Sequence, residues 1–457
     1  MTSVGGGDLV ARSVPAAQRP LRGRVALPGS KSLTQRALVI AALARGRSRI
    51  ERPLVADDPQ RLASALREMG VLIETDEAGD LWIEGVGGVF DGEGRLDLGE
   101  GATGARFCLA LAGLAASPVT VDGGPRLRQR PMEEGIAMLR ALGGTLRELH
   151  EPGRLPIEVE GGGLRGGSVE VGRTQSSQFL SAALLAAPAM NEGIDLRLEL
   201  DLRESPTSAS YLWMTIAALR AANVEVALDA DLPPRDDSGS ADARRGPRRI
   251  MIPPQSIAPR TWSIEADAST AIFFAVAAAL LPGSQVELAG LPIDSLQPDS
   301  IAIRRLGEFG VGVEAGASGV LISASDSIHG VDIDASEFPD AVPALAVLAS
   351  RANSASTLRG LETLRVKESD RIEAIAENLR RLGARVETGP AELRIEPIPN
   401  GFATPVWIDP YRDHRIAMAF AVLGLARPGL AVADPEVVAK SDPDFWDRLD
   451  QLVAPSV

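Results

Sequence analysis

Cysteine and histidine are almost absent from this chain of 457 residues, which has one cysteine and three histidines. A lone cysteine, Cys108, excludes an internal disulfide framework and fits a reducing compartment. The histidines, His150, His329 and His414, are far apart in the sequence, so they show no zinc-type ligand spacing. We therefore expect no bound metal and a cytoplasmic location.

Long apolar runs and an excess of positive charge are also missing. The longest apolar run, residues 271–281, has 11 residues, whereas a membrane-spanning helix needs roughly 18. The N-terminal segment lacks the apolar stretch of a secretory signal. The 47 Lys and Arg residues are outnumbered by 61 Asp and Glu, and this balance is unfavourable for a nucleic-acid-binding protein. An anionic ligand would therefore need a local cluster of basic side chains.

A long repeat organises the chain. Five segments combine an amphipathic helix, a helix-ending Gly or Asn, and a short alternating strand. The helix-ending residues, where we expect a left-handed backbone turn, are Gly70, Gly143, Asn223, Gly310 and Gly383. Their spacings of 73, 80, 87 and 73 residues are too long for a solenoid. The pattern predicts an α+β unit of roughly 75 residues that is used about six times in two globules.

Two glycine-rich segments resemble phosphate-binding loops. GEGATG, at residues 99–104, is a literal GxGxxG, so a dinucleotide-binding dehydrogenase remains an alternative. The repeat argues against it, because the repeat begins earlier and carries extra strands. PGSKS, at residues 28–32, fits a P-loop poorly because Lys31 follows Ser30. A Gly-Ser turn before a helix nevertheless offers backbone N–H groups to an anion.

Basic and hydroxyl side chains recur at predicted helix starts. RLRQRP places Arg126, Arg128 and Arg130 on alternate residues, and in an extended segment all three would project to the same side. Similar groups lie at residues 176–178, 365–371 and 412–415. Because helix dipoles and arginine side chains both attract anions, this recurrence favours a single anionic ligand.

Eight motifs, in order along the chain, resemble one known family. They are LPGSKSLTQRAL, RQRP, SSQFLSA, EADASTA, FPD, LRVKESDRIEAI, DHRIAMAF and AKSDPDFW. With them the chain is similar, from about residue 9 to the C-terminus, to the 5-enolpyruvylshikimate-3-phosphate synthases. The resemblance implies an α+β, two-domain enolpyruvyl transferase fold, in which each domain has three βαβαββ repeats (an inside-out α/β barrel) and a double-crossover hinge joins them. We expect domains at residues 1–27 plus 263–457 and at 28–262, with an exposed insertion at 229–249.

The resemblance also implies an enzyme with a defined reaction. It would transfer the enolpyruvyl group of phosphoenolpyruvate to the 5-hydroxyl of shikimate 3-phosphate and release phosphate. This step belongs to the shikimate pathway, which leads to chorismate and the aromatic amino acids. The resemblance implies no metal and no organic cofactor. We expect a monomer whose partners are these two small substrates, with no nucleic acid and no membrane.

The family motifs, transferred position by position, imply two sets of binding residues. Shikimate 3-phosphate would be bound by Lys31, Ser32, Arg36, Ser176, Ser177, Gln178, Ser208, Tyr211, Asp340 and Lys367. Phosphoenolpyruvate would be bound by Lys31, Ala102, Arg130, Gln178, Arg371, Arg415 and Lys440. Asp340 would take the proton of the 5-hydroxyl, Glu368 would protonate C3, and Lys31 would be a third proton carrier.

Two departures from the family pattern lie beside the expected phosphoenolpyruvate site. Glu100 replaces the common Asn, and its carboxylate would repel an anion unless it is protonated or paired with Arg106 or Arg130. Ala102 replaces the usual Gly, and its methyl group would intrude where the herbicide glyphosate binds. We therefore expect this form to tolerate glyphosate.

Two further alternatives remain within the same superfamily. The sister transferase that acts on UDP-N-acetylglucosamine usually carries a cysteine just before an IGxRP-like segment. Here the matching segment is GPRLRQRP, and Cys108 lies upstream of it. A catalytically silent homologue that binds phosphorylated metabolites is the second alternative, suggested by Glu100 and Ala102.

Overall fold

The computed structural model describes residues 10–172, 174, 176–198, 209–229, 247–398 and 405–454. The α-helices of the described residues are α1 Lys31–Leu43, α2 Asp57–Glu68, α3 Ala102–Ala112, α4 Pro125–Arg128, α5 Glu133–Ala141, α6 Ser177–Ala186, α7 Ala209–Ala221, α8 Ala268–Ala279, α9 Pro298–Arg305, α10 Val342–Ala349, α11 Arg371–Arg381, α12 His414–Ala426 and α13 Phe445–Val453. The strands are β1 Ala11–Val14, β2 Arg22–Ala26, β3 Arg45–Glu51, β4 Leu72–Thr75, β5 Leu81–Val86, β6 Gly94–Asp97, β7 Val119–Asp122, β8 Leu146–Glu148, β9 Ile157–Val159, β10 Gly167–Val171, β11 Ile194–Leu198, β12 Ala227–Leu228, β13 Arg249–Ile252, β14 Thr261–Ser263, β15 Gln285–Ala289, β16 Gly312–Ala315, β17 Gly319–Ser323, β18 Asp332–Asp334, β19 Ser356–Arg359, β20 Val386–Thr388, β21 Glu392–Ile395, β22 Val406–Ile408 and β23 Leu430–Ala433.

The chain divides into two compact units. The first unit comprises the described residues of Met1–Pro28 and Ala266–Val457, and the second unit those of Gly29–Glu265. The described strands of the first unit form three sheets, in the orders β1-β23-β22, β16-β17-β15-β2 and β18-β19-β21-β20. Those of the second form three more, in the orders β14-β3-β5-β4, β6-β7-β9-β8 and β10-β11-β13-β12. The predicted α+β architecture, with three repeats in each of two units, is confirmed.

One repeat of the second unit shows how the sequence pattern becomes structure. Its elements follow the order β6, α3, β7, α5, β8 and β9, with the short α4 between β7 and α5. Strand β6 pairs with β7 in parallel, whereas β7 with β9 and β8 with β9 are antiparallel pairs. A dinucleotide-binding domain needs a run of parallel strands after the glycine motif. The sheet that follows GEGATG is therefore not of that kind.

The predicted helix-ending residues all adopt the left-handed backbone conformation. Their φ angles are +92° at Gly70, +90° at Gly143, +60° at Asn223, +89° at Gly310 and +86° at Gly383. Glycine adopts this conformation without the Cβ clash that other residues incur, and asparagine tolerates it better than most. The helix-ending signals of all five repeats are thus confirmed.

Each unit has its own apolar core built around alanine-rich helices. In the first unit α8 and α12 are buried on almost every side, and in the second unit α3 and α6 are similarly enclosed. Small side chains let such helices approach closely, because little volume separates the backbones. This packing explains how a chain with 4% aromatic residues fills two cores.

The sequence-based expectations about membranes, metals and the insertion concern the whole chain, of which the structure describes a part. In that part no helix is long and apolar enough to cross a membrane. The same residues contain no group of three or more His, Cys, Asp or Glu side chains placed to hold a metal ion. Of the predicted insertion at 229–249, residues 230–246 lie outside the described residues. The strands on either side, β12 and β13, pair antiparallel.

Candidate active site

Arg371 is the centre of a charged cluster in the first unit. Its guanidinium group is 1% exposed and donates from Nε to Asp413 Oδ2 at 2.7 Å. The two terminal nitrogens donate to Asp340 Oδ1 at 2.7 Å and to Glu368 Oε2 at 3.0 Å. Burial alone would lower the pKa of Arg371, but these three carboxylates raise it above its ordinary value. One buried cation therefore joins three segments of the chain.

Asp413 holds the start of α12 next to this cation. Its Oδ1 atom accepts a hydrogen bond from the backbone N–H of Arg415 at 3.0 Å, as an N-capping side chain does. The two preceding residues, Tyr411 and Arg412, have φ angles of +52° and +57°. Two successive non-glycine residues in this conformation are strained, so the surrounding contacts must hold them there. The turn places Asp413 and Arg415 on the same cluster.

Asp340 receives three cations. Besides Arg371, the Nη2 atom of Arg415 donates to Asp340 Oδ2 at 3.0 Å, and Lys367 Nζ lies 3.5 Å from Asp340 Oδ1. Burial would raise the pKa of Asp340, but Arg415, Lys367 and Arg371 together hold it well below its usual range. The group is thus an ionised carboxylate. It would become a stronger base if a ligand bound these cations, because their hold on its pKa would then weaken.

Glu368 completes the cluster. It accepts from Lys440 Nζ at 2.9 Å through Oε1, while its other oxygen is bonded to Arg371. The structure therefore brings together all the site residues that the sequence predicts in this unit. With the capping aspartate, they form what we call the first-unit cluster: Asp340, Lys367, Glu368, Arg371, Asp413, Arg415 and Lys440.

A buried carboxylate beside the cluster was not expected from the sequence. Asp299 is 1% exposed and accepts a short hydrogen bond from the hydroxyl group of Ser269. The backbone oxygen of Ser269 in turn accepts from Arg415 at 3.4 Å. Burial, and then the charge of Asp340, raise the pKa of Asp299 to about 6. Asp299 is thus poised to bind a proton near neutral pH.

In the second unit, Lys31 lies at the first position of α1. The side chain of Ser30 caps this helix by accepting from the backbone N–H of Leu33, and Ser32 follows in the first turn. Lys31 Nζ forms an ion pair with Asp58 Oδ2 at 3.2 Å, and both side chains are largely buried. Asp58, on the neighbouring helix α2, was not expected in this role.

Arg36 lies one turn further along α1 and is almost fully buried. It donates to Thr215 Oγ1 at 2.9 Å, to Ser181 Oγ at 3.3 Å and to the backbone oxygens of Ser32 and Tyr211. Among the described residues no carboxylate lies within ion-pair distance of it. Burial lowers the pKa of Arg36 to about 10, and its hydrogen-bond partners are hydroxyl and backbone oxygens. We call these residues the Arg36 cluster.

A second buried arginine of this unit, Arg106, binds the start of α6. It donates to Ser176 Oγ at 3.0 Å and to Gln178 Oε1 at 2.6 Å. The amide nitrogen of Gln178 then donates to Thr103 Oγ1 at 2.9 Å, and Ser176 caps the helix. Arg106 also stacks over the ring of Phe179, with 4.5 Å from its guanidinium carbon to the ring centroid. The predicted residues Ser176 and Gln178 are thus oriented from α3.

The prediction that Arg126, Arg128 and Arg130 share one side of an extended segment is wrong. Residues Pro125–Arg128 form the helical turn α4, so alternate side chains point in different directions. Arg128 forms a two-point ion pair with Asp122, and Arg126 donates to Gln129 at 3.0 Å. Proline at the first helical position after a glycine is a helix-start signal. This signal explains why the segment is helical although its arginines alternate.

The expected pairing of Glu100 is also wrong. Neither Arg106 nor Arg130 is its partner in the described structure. Its Oε2 atom instead accepts from the backbone N–H of Leu127 at 2.8 Å, within α4. The carboxylate is therefore stabilised by a backbone amide.

The other predicted residues lie at helix starts of the second unit. Ser177 begins α6, Ala102 begins α3, and Tyr211 lies in the first turn of α7. Ser208 lies outside the described residues. The predicted tolerance of glyphosate, which depends on the methyl group of Ala102, stays a prediction.

A compositional signal could have found part of this site. The full sequence contains only three lysines, Lys31, Lys367 and Lys440, and the other 44 of its 47 basic residues are arginines. All three are proposed site residues, and each forms an ion pair: Lys31 with Asp58, Lys367 with Asp340 and Lys440 with Glu368. Because lysine carries a compact, titratable amine, its restriction to these three positions could have drawn attention to them.

Comparisons with known proteins identify the family of the chain. A family model described as EPSP synthase (3-phosphoshikimate 1-carboxyvinyltransferase) matches residues 15–449. The chain belongs to the EPSP synthase family. The proteins named 3-phosphoshikimate 1-carboxyvinyltransferase from Syntrophobacter fumaroxidans and Methanoculleus marisnigri are both 39% identical to this family member. Each alignment covers 94% of this chain, and they cover 97% and 96% of the two relatives.

Solved structures show the same fold. An EPSP synthase from Acinetobacter baumannii aligns with a TM-score of 0.78 and 26% identity, over 97% of this chain and 98% of that one. The enolpyruvyl transferase NikO from Streptomyces tendae aligns with a TM-score of 0.72 and 18% identity over the same shares. The resemblance that the eight motifs indicate is confirmed, and the dehydrogenase alternative is not supported.

Proposed function

We propose that the chain is a 3-phosphoshikimate 1-carboxyvinyltransferase. It transfers the enolpyruvyl group of phosphoenolpyruvate to the 5-hydroxyl of shikimate 3-phosphate and releases phosphate. Membership of the EPSP synthase family over nearly the whole chain supports the reaction. The observation that carries the proposal is the assembly of two sets of buried basic side chains around carboxylate and hydroxyl groups.

The residues proposed for shikimate 3-phosphate come mainly from the second unit. Arg36 supports this role because its buried positive charge has only neutral partners among the described residues. An anion that binds beside it would supply the missing counter-charge. Ser176, Ser177 and Gln178 lie at the start of α6, where hydroxyl groups and backbone N–H groups both favour an anion. Asp340 and Lys367 of the first-unit cluster are proposed to bind the same substrate.

Phosphoenolpyruvate carries a carboxylate and a phosphate, so it requires several cations. Arg371, Arg415 and Lys440 of the first-unit cluster, together with Lys31 and Arg130, are proposed to bind it, with Gln178 and Ala102 beside them. Arginine matches the planar or forked oxygens of both anionic groups. Arg371 is pre-oriented for this task because three carboxylates fix its guanidinium plane.

The proposed chemistry requires a base at the 5-hydroxyl and an acid at C3. The hydroxyl oxygen attacks C2 of phosphoenolpyruvate while C3 accepts a proton, and a tetrahedral intermediate results. Loss of phosphate and of one proton from the new methyl group restores the enol ether. We assign the base to Asp340 and the acid to Glu368. Lys440 and Arg371 bond to Glu368 and thereby orient its carboxyl group.

The discriminating experiment is a phosphate-release assay with shikimate 3-phosphate and phosphoenolpyruvate. The wild-type protein should release phosphate, and Lys31→Met should lose at least about 100-fold in rate, a typical contribution of a proton-transfer residue. Arg165→Met, which removes an exposed cation of the same unit, is the matched control and should be unaffected. Binding of both ligands without phosphate release would favour the silent homologue. Turnover with UDP-N-acetylglucosamine would favour the sister transferase.

The scarcity of lysine allows an independent test of the binding residues. An amine-acylating reagent has only three side-chain targets in this chain, Lys31, Lys367 and Lys440, besides the terminal amine. We expect both substrates together to protect all three lysines, as measured by peptide mass spectrometry. Equal labelling with and without ligand would contradict the proposed contacts of these lysines. Cytoplasmic location, the monomeric state and independence from cofactors stay predictions.

A further inference from the structure

Glu100 joins two segments of the second unit that both carry proposed phosphoenolpyruvate residues. It lies in the turn between β6 and α3, just before Ala102. Its Oε2 atom accepts a hydrogen bond from the backbone N–H of Leu127 at 2.8 Å. Leu127 is the third residue of α4, where a helical N–H group has no partner within the helix. The side chain therefore caps α4 from a distant part of the chain.

The backbone around this contact is built to accommodate it. The N–H of Gly124 donates to Gly99 O at 2.7 Å, and the N–H of Leu98 donates to Asp122 O at 3.0 Å. A Cβ atom at Gly124 would lie 2.2 Å from Oε1 of Glu100, so a larger residue there would require the carboxylate to move from its observed position. The two segments are thus bonded side by side, and Glu100 fills the gap between them.

The position of Arg130 depends on this turn. Its backbone N–H donates to Leu127 O at 3.0 Å, directly after the helical residues. On the other side of α4, Arg128 is bonded at two points to Asp122. The turn is therefore fixed at its start by Glu100 and at its end by an ion pair. Arg130 follows directly after this turn, and its N–H is bonded to it.

We propose that Glu100 is a positioning residue, which orients Arg130 towards phosphoenolpyruvate by capping α4. The proposal rests on the proposed function, because Arg130 acts on that substrate only in the synthase reaction. It also explains why a carboxylate is tolerated beside an anion site. The negative charge is stabilised by a backbone N–H group of α4 and by the positive end of that turn.

The test compares Glu100→Ala with Glu100→Gln. The amide oxygen of Gln can still accept from Leu127, whereas Ala leaves that N–H without its partner. Glu100→Ala should raise the KM for phosphoenolpyruvate about fivefold to tenfold, the usual cost of a lost cap, with kcat changed less than about threefold. Glu100→Gln should stay within about twofold of the wild type. The KM for shikimate 3-phosphate should not change in either variant.

Amide hydrogen exchange provides a readout that does not depend on activity. The peptide covering residues 122–130 should exchange faster in Glu100→Ala but not in Glu100→Gln. Glu93→Ala, which removes an exposed carboxylate just before β6, is the matched control and should change neither readout. The proposal is wrong if Glu100→Ala exchanges and turns over like the wild type. It is equally wrong if Glu100→Gln is as impaired as Glu100→Ala, because charge would then matter instead of the cap. A wild-type protein without phosphate release would contradict the proposed function, even if exchange in the turn changed as expected.

Discussion

Arg371 in the first unit and Arg36 in the second are both buried guanidinium groups, but their partners differ in charge. Arg371 is bonded to three carboxylates, and its pKa is raised. Arg36 is bonded to hydroxyl and backbone oxygens, and its pKa is lowered. The first-unit cluster therefore neutralises its buried arginine with carboxylates, whereas the described partners of Arg36 include no carboxylate.

The difference has consequences for both stability and binding. A buried cation with carboxylate partners is rigid, but removing it leaves buried negative charges without a counter-ion. Burying a cation among neutral partners is unfavourable because the charge loses its hydration, and an anion that binds beside it offsets this cost. We therefore expect the first-unit cluster to depend on its cation for folding. The Arg36 cluster should depend on its cation mainly for binding.

The largest expected effect is that of Arg371→Met. The substitution leaves Asp340, Glu368 and Asp413 buried without their shared partner, so the free energy of unfolding should fall by about 3 to 5 kcal/mol. Urea denaturation at pH 7 measures this loss. Arg381→Met, at an exposed position of the same helix, is the control and should cost less than about 1 kcal/mol. If both variants unfold at the same urea concentration, the first unit does not depend on this network.

Asp299→Asn should have the next largest effect, and it should depend on pH. The folded-state pKa of Asp299, about 6, lies above the ordinary value of 3.8 for this side chain, so the folded protein binds this proton more tightly than the unfolded chain. The wild type therefore loses stability, relative to the Asn variant, as the pH rises from about 4 to about 6, with no further change above that range. Asn keeps an acceptor for Ser269 and removes the charge.

At each pH we take the unfolding free energy of Asp299→Asn minus that of the wild type. This difference should be about 3 kcal/mol larger at pH 8 than at pH 4. Denaturation curves at both pH values measure the gain. Asp447→Asn, at an exposed position on α13, is the control and should show little pH-dependent difference. A gain that is equal at both pH values would show that Asp299 is not protonated near neutral pH.

Arg36→Met tests the other side of the comparison. The hydroxyl groups of Thr215 and Ser181 lie 2.9 Å apart and can bond to each other, so few polar groups lose their partners. The free energy of unfolding should fall by only about 1 to 2 kcal/mol, despite complete burial of the side chain. The KM for shikimate 3-phosphate should nevertheless rise by about 10- to 100-fold. A destabilisation as large as that of Arg371→Met would remove the distinction between the units.

Local signals in the sequence predicted much of this site. The helix starts at Ser176, Asp370 and Asp413 are capped by side chains, as their residue types indicate. The repeat gave the helix-ending residues because a left-handed turn needs glycine or asparagine. Such features depend on a few neighbouring residues, so they can be read without knowledge of the fold.

Pairings between distant segments could not be predicted in the same way. Arg36 and Thr215 are 179 residues apart, and Arg371 bonds to carboxylates 31 and 42 residues away. Residue types show that these cations need partners, but only the packing of helices decides which partner is near. RLRQRP begins in a helix for a local reason, since the preceding Gly-Pro pair begins α4 and the alternation of arginines does not make the segment extended.

Asp58→Asn should have the smallest effect. It removes one carboxylate, which forms the ion pair with Lys31 in the second unit. Both side chains are largely buried, but Asn has the size of Asp and keeps an oxygen that can accept from Lys31, so the free energy of unfolding should fall by only about 1 kcal/mol. The rate of phosphate release should fall by about three- to tenfold, because Lys31 loses the charge that orients its amine. Asp57→Asn, at the exposed neighbouring position, is the control for both measurements. A loss of stability close to that of Arg371→Met would mean that the second unit also depends on internal ion pairs, and the contrast between the units would then not hold.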